Sequence, residues 1–265
     1  MTGDDYQLIR DLPVVKGLVR LDVEWDRLDW RKLAEHLRAD ALVILRLFYP
    51  GRLEAWEFVS RAARELPPVL LALGDREVLI EIHNEPNHAE GIEGWGHTQE
   101  QAADFAMWYA VVYEALSAAG FQGLGWPGLA LGNWVHGERV WSKVCRDVIR
   151  ASSWVGCHVY WQRGEEMHNA ALGMNWLHYR QKFPDQRLIV TEVGNSSCHN
   201  PELPQMTPEI QAAQYVDWCR TAHAGGVDAA TFYMLGGSED WRGFRLFPET
   251  VRALAYLDHE LHASA

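Results

Sequence analysis

A chain of 265 residues that is 48% hydrophobic can bury one large core, and a formal charge of −12 with only 24 Lys plus Arg and no basic run argues against nucleic acid or anionic membrane as a partner. Cys145, Cys157, Cys198 and Cys219 lack CxxC spacing, so free thiols are expected rather than a zinc site or a disulfide framework. No signal-like run occupies residues 1–13 and no stretch approaches the about 18 apolar residues of a membrane span, so the expectation is a soluble chain, cytoplasmic or trimmed of a leader.

In chain order, residues 18–23 alternate apolar and charged side chains and read as a strand with Arg20 and Asp22 on one face. Residues 29–40 read as a helix, and 41–48 as an apolar strand that carries Arg46 and stops at Tyr49-Pro50-Gly51. Ala55, Val59, Ala62 and Leu66 recur at helical spacing up to Pro67-Pro68. Residues 69–73 could form a strand, but only Gly74 to Glu77 separates them from the strand opening at Val78, too little for a parallel crossover of roughly a dozen residues; they are read as continued helix. The buried strand from Val78 ends at His83-Asn84-Glu85-Pro86, where Pro86 cannot donate to a sheet and pushes Glu85 towards an extended backbone. A capping box at Thr98-Gln99-Glu100-Gln101 opens a long amphipathic helix that stops at Gly120. Residues 123–131 follow as strand, 138–151 as helix, and 154–160 as a strand placing His158 and Tyr160 on one face. A helix over 175–182 leads to an apolar strand ending in Thr191-Glu192-Val193-Gly194. Thr207-Pro208 opens a helix closed near Gly225-Gly226, followed by a last strand over 227–235 and a last helix over 250–261.

Strand and helix alternate throughout, with no repeat and no linker. The expectation is a single domain over residues 1–265, α/β with a parallel sheet, and at a typical size of roughly 250 residues a (β/α)8 TIM barrel. Its first unit is incomplete or atypical: the count is one strand short unless Tyr6 to Ile9 supplies it. Active sites of such barrels are built at the carboxyl ends of the strands, where Glu85 and Glu192 both fall, about three strand-helix units apart. Either glutamate alone reads equally well as a solvated strand-end carboxylate, but the pair is harder to dismiss.

Arg20, Asn84, Glu85, His158, Tyr160 and Glu192 all lie at or near strand ends. In this the chain resembles the large clan of retaining (β/α)8-barrel glycoside hydrolases that includes many cellulases, mannanases and β-xylosidases. The resemblance covers residues 14 to about 235 and rests on Val19-Arg20, Asn84-Glu85-Pro86, His158-Val159-Tyr160 and Thr191-Glu192 in that order. It implies catalytic glutamates at the ends of strands four and seven, with Glu85 as acid/base and Glu192 as nucleophile. It also implies hydrolysis of O-glycosidic bonds in a poly- or oligosaccharide, without metal or other cofactor. Retention takes one carboxylic acid to protonate the leaving oxygen and one carboxylate, roughly 5 Å away, to attack the anomeric carbon. By the same resemblance Arg20 and the Tyr160 hydroxyl face Glu192 and favour its charged form, while repulsion and partial burial keep Glu85 protonated. Asn84 holds the sugar 2-hydroxyl, and His158 joins the substrate-binding set.

Thirteen Trp suit either core packing or stacking on sugar faces. Trp25, Trp95, Trp161 and Trp241 each follow a predicted strand end, where a ring is free to meet a ligand, whereas Trp154 and Trp218 sit inside predicted elements as packing. Trp161 and Trp241 are therefore assigned to substrate binding, and several platforms on one rim suit cleavage within a sugar chain. The clan usually ends its last strand with a Trp; Thr231-Phe232-Tyr233-Met234-Leu235 has none, which leaves Trp241 to stand in. Plainer readings exist. Arg20 could pair with Asp22, Glu24 or Glu81, and His158 could be a hydrogen-bonded core imidazole. His83, Glu85 and His88 could ligate a metal, although strand spacing puts His88 in the loop beyond Pro86. Schiff-base chemistry is disfavoured because Lys16, Lys32, Lys143 and Lys182 lie away from the predicted strand ends. The rival function is a non-catalytic carbohydrate-binding or scaffolding barrel; a monomer is expected.

Overall fold

Apolar runs bounded by Gly and Pro pair side by side, and the amphipathic segments between them cover the outer face. The computed structural model describes residues 3–22, 29–88, 94–132, 136–200, 202–204, 206–233 and 244–263. Strands β1 (Val14–Arg20), β2 (Leu42–Phe48), β3 (Val78–Ile82) and β4 (Leu124–Gly125) pair in that order, and β5 (Trp154–Trp161), β6 (Arg187–Asn195) and β7 (Ala229–Phe232) form a second ladder. Every pairing is parallel. A bridge from Trp126 to Val155 joins the two ladders, and β1 lies beside β7 with no ladder between them among the described residues. The result is an α/β barrel of the (β/α)8 type with seven strands among the described residues.

The helices are α1 (Gly3–Leu8), α2 (Trp30–His36), α3 (Ala55–Leu73), α4 (Gln99–Ala118), α5 (Glu138–Val144), α6 (Arg146–Ala151), α7 (Trp176–Lys182), α8 (Pro208–Ala224) and α9 (Pro248–Ala263). Tyr6 to Ile9 is helical and so does not supply the missing strand. Residues 69–73 close α3, which runs through both prolines. β1 begins and ends earlier than expected, at Val14 and Arg20, and the expected strand residues Val23, Met234 and Leu235 lie outside the described residues. β4 is only Leu124–Gly125 rather than 123–131. Pro127 offers no N–H there, and the Gly128 N–H turns inward to Glu81 Oε1 at 3.1 Å.

Alternation along each strand sorts the barrel interior from the helix-facing core. Leu42, Ile44, Leu79, Trp154 and Ile189 form an apolar interior layer. Gly125 makes room for it, since a Cβ there would lie 1.9 Å from the Trp154 ring. One layer further along, Lys16 of β1, Arg46 of β2 and Glu81 of β3 form a charged layer, with Arg46 and Glu81 in register on neighbouring strands. A cavity of about 970 Å³, lined by Lys16, Leu18, Arg46, Glu192 and Phe232 among others, opens where β1 and β7 stay unzipped. Outside the strands Phe105, Trp108, Trp126 and Trp141 pack as one aromatic group. Trp161, Tyr215 and Trp218 form another, and Trp154 and Trp218 are both buried. All four cysteines are free, and among the described residues no helix is long and apolar enough to cross a membrane.

Candidate active site

Just past β3 lie two strained residues: His83 has φ 80° and Glu85 φ 36°, both in the left-handed region. Non-glycine residues there cost on the order of 1–3 kcal/mol each. This corrects the expectation of an extended Glu85. The turn is held instead by Glu85 N–H donating to Gly128 O at 3.1 Å and His88 N–H donating to Glu85 O at 2.9 Å. Asn87, fully buried, pairs with the main chain of Ala130 through both ends of its amide. His83 is not a surface ligand. Its ring lies among Phe48, Phe105 and Trp108, accepts from the Asn84 N–H at 2.8 Å, and is pushed down to about 4 by burial, so it is neutral. Asn84 is buried beside Glu85, whose side chain stays 21% exposed at the mouth.

Glu192 is embedded in β6 and far more heavily partnered. Arg46 Nη1 reaches its Oε1 at 2.5 Å, Lys16 Nζ lies 3.8 Å from Oε1, and the Tyr160 hydroxyl donates to Oε2 at 2.6 Å. Burial works against its charge, but the Arg46 and Lys16 cations and the Tyr160 hydroxyl help to outweigh it, and the carboxyl is held down at about 2. Burial, reinforced by Glu192, keeps the Tyr160 hydroxyl well above its ordinary range, so it remains a donor. Behind Glu192 lies Glu81, fully buried, which accepts from Arg46 Nε at 2.7 Å and Lys16 Nζ at 2.8 Å. Burial opposes its charge too, and Arg46 and Lys16 hold it well below the usual carboxylate range.

His158 links the two glutamates. Its Nε2 lies 3.2 Å from Arg46 Nη2 and its Nδ1 2.7 Å from Glu85 Oε1 and 3.5 Å from Glu192 Oε2. A guanidinium only donates, which assigns the lone pair to Nε2 and the hydrogen to Nδ1. Nδ1–H therefore donates to Glu85. Gly128 allows the ring to sit there, since a Cβ on that residue would lie 2.2 Å from the imidazole. One oxygen from each glutamate and a nitrogen of His158 all lie within 4.8 Å of one another.

The structure thus brings Glu85, His158, Tyr160 and Glu192 together. It does not bring Arg20. β1 stops at Arg20, whose half-exposed side chain pairs with Asp22 at 2.9 and 2.5 Å; Arg46 takes the place at Glu192 that was expected of it. Trp161 is also misplaced by the sequence reading: β5 runs one residue further than expected, so alternation turns the ring away from the face of Tyr160. It is buried against Tyr215 and Trp218 with its Nε1 donating to Gln214 at 2.9 Å. Trp95 is likewise buried, packed on Phe105 and Trp108. Trp25 and Trp241 lie outside the described residues. Among those residues Glu85 follows the third strand and Glu192 lies in the sixth, not the fourth and seventh; the separation of three is kept. Sequence reasoning did not see Arg46, Glu81 and Lys16 as a set: Arg46 and Glu81 were visible as lone charges inside apolar strands, but Lys16 fell before the strand read over 18–23, which in fact begins at Val14. It also missed Tyr233 and Phe244, whose rings meet 5.5 Å apart while Phe244 lies 5.9 Å from Tyr160.

Neither a protein-family model nor a curated protein matches the chain. Solved structures do. A GH128 (subgroup II) endo-β-1,3-glucanase from Pseudomonas viridiflava matches with a TM-score of 0.60 at 12% identity, over 96% of this chain and 93% of that one. PbGH5A, a glycoside hydrolase family 5 enzyme from Prevotella bryantii, matches at 0.57 and 15% identity, over 97% and 86%. A GH128 (subgroup VII) oligosaccharide-binding protein from Trichoderma gamsii matches at 0.57 and 13%, over 98% and 93%. The likeness is one of fold. At these identities the chemistry has to be argued from the side chains.

Proposed function

We propose that the protein is a retaining, metal-independent β-glycosidase that cleaves within a poly- or oligosaccharide, with a β-glucan as the first substrate to try. The observation that carries the reading is the pair of carboxylates within 4.8 Å, one wrapped in cations and one not. That spacing suits direct attack by Glu192 on the anomeric carbon, against the wider gap of roughly 6.5–9.5 Å that admits a water. In the first step Glu85 protonates the glycosidic oxygen as the C1–O bond breaks, and the Glu192 carboxylate forms a glycosyl ester. In the second, Glu85 takes a proton from water, which attacks C1 and releases Glu192. Because His158 Nδ1–H occupies Oε1 of Glu85, the transferable proton belongs on Oε2. The same hydrogen disfavours a metal among Glu85, His158 and Glu192: the imidazole lone pair faces Arg46, not the carboxylates. The internal mode of cleavage no longer leans on Trp161 and Trp95, which are buried; it leans on the endo-acting fold neighbour.

A binding role is the second reading, favoured by the oligosaccharide-binding fold neighbour. The test that separates them is a screen of laminarin, other β-glucans, mannan and aryl β-glycosides with wild type beside Glu192→Ala. Turnover lost in the variant supports the enzyme. Binding by both proteins with no product from either supports the binding module.

A further inference from the structure

Lys16 enters the barrel from the middle of β1, with its side chain 14% exposed at the cavity wall, and in the two steps above it neither gives nor takes a proton. Its ammonium meets three groups: Glu81 Oε2 at 2.8 Å, Glu192 Oε1 at 3.8 Å and the main-chain carbonyl of Thr191 at 2.9 Å. The charged neighbours come from β2 (Arg46), β3 (Glu81) and β6 (Glu192), while β7 contributes the neutral Thr231 hydroxyl, and β5 sets His158 and Tyr160 against Glu192.

Thr191 is where β6 slips in both ladders. Against β5, Val190 pairs with Cys157 and the next pair is Glu192 with His158; against β7, pairing passes from Val190 to Val193. A bulge re-aims the side chain beside it, and here that side chain is Glu192. The Thr191 carbonyl is caught by Lys16 Nζ and, at 2.7 Å, by Thr231 Oγ1.

The charge count points the same way. Among the described residues, the charged layer inside the barrel holds two buried carboxylates, Glu81 and Glu192, and two cations, Arg46 and Lys16; Arg46 spans both carboxylates. Without Lys16 one guanidinium would have to hold two negative charges out of water, and both carboxyls would bind protons more tightly. We propose that Lys16 is a positioning residue for the nucleophile: it ties down the Thr191 bulge that aims Glu192, and it shares the charge of Glu81 so that Arg46 does not hold both carboxylates alone. The kinetic test rests on the glycosidase reading, whereas the spectroscopic one does not.

Lys16→Met removes the ammonium and keeps the length of the chain. The acid limb of kcat/KM on the activated aryl β-glycoside found by the screen reports ionisation of Glu192, since such a leaving group needs no proton. That limb is expected to rise by about 1 pH unit or more in Lys16→Met, with kcat falling while KM changes little. In protein labelled with ¹³C-glutamate, the Glu192 carboxyl carbon, assigned by its loss in Glu192→Gln, should titrate upward by a similar amount. The double variant Lys16→Met/Glu81→Gln restores the charge count but not the tether, so its acid limb should return towards wild type while kcat stays low. A folded Lys16→Met protein with unchanged limb and unchanged carboxyl titration overturns the proposal. So does a double variant with wild-type kcat, and that arm decides if the single variant does not fold. If wild type hydrolyses no glycoside yet the Glu192 titration still moves in Lys16→Met, the glycosidase reading fails and the positioning of Glu192 stands.

Discussion

Glu192 is built into the middle of a strand, whereas Glu85 sits just past the end of one, and the two are held in different ways. Around Glu192 the protein spends side chains: Arg46, Lys16, Tyr160 and, one layer back, Glu81. Around Glu85 it uses backbone: two left-handed residues, a turn closed by His88, and the Gly128 carbonyl. Among the described residues neither Arg46 nor Lys16 is paired with Glu85; His158 donates to it from a hydrogen whose place Arg46 dictates. Two side chains of the same type thereby stand in different surroundings, one among cations and the other 21% exposed at the mouth with His158 as its partner.

The largest effect should come from breaking the Glu192 side. Glu192→Ala is expected to lower kcat/KM on an activated aryl glycoside by at least about 10⁴-fold, with azide restoring turnover and giving a product of inverted configuration. On the other side, Glu85→Ala should cost about 10²–10⁴-fold on substrates with poor leaving groups and much less on activated ones. Equal losses on both substrate types would take Glu85 out of the acid role.

Stability sharpens the same contrast. Arg46→Met leaves Glu81 and Glu192 in the interior with Lys16 as their shared cation, so urea unfolding should show a loss of about 3–5 kcal/mol. A loss under about 1 kcal/mol would mean that the charged layer relaxes into water. Because the Glu192 carboxyl is held down at about 2 from an ordinary 4.5, it binds fewer protons folded than unfolded between those values. Its stabilisation is present above about 4.5 and is lost as pH falls towards about 2; Glu81 adds to the same acid loss. Lys16 has the opposite sign. Burial and then Arg46 lower it from 10.5 to about 8, so its charge costs stability below about 8 and that cost fades towards 10.5. Unfolding midpoints between pH 2 and 5 should flatten in Glu192→Gln relative to wild type. The smallest effect belongs to Arg20→Ala, which removes only a half-exposed pair with Asp22 and should change stability by less than about 1 kcal/mol and leave kcat unaltered.

The strand-helix alternation was legible because buried parallel strands write themselves as apolar runs, and Val78 to Ile82 and Leu188 to Val193 are such runs. Glu85, His158, Tyr160 and Glu192 were each legible at or near a strand end, and the family resemblance implied that they meet. What failed was sensitive to a shift of a few residues. β1 ends at Arg20 instead of passing through it, which leaves that guanidinium at the rim with Asp22. β5 includes Trp161 instead of stopping before it, and alternation then sends the ring into the core. Arg46 was in plain view, a single charge within Leu42 to Phe48, but its partners come from β3 and β6 and are 35 and 146 positions away. The Thr191 bulge is a property of two ladders at once, and no spacing in one strand announces it.

The division of labour between the two glutamates can be tested in one measurement: incubation with a 2-deoxy-2-fluoro β-glycoside carrying a good leaving group, followed by peptide mass spectrometry. The fluorine slows both chemical steps and the leaving group restores the first, so a glycosyl ester accumulates on whichever carboxylate attacks. The expected result is one adduct, on the peptide that holds Glu192, absent from Glu192→Gln. An adduct on Glu85, or hydrolysis of the natural substrate to a product of inverted configuration with no adduct at all, would contradict it.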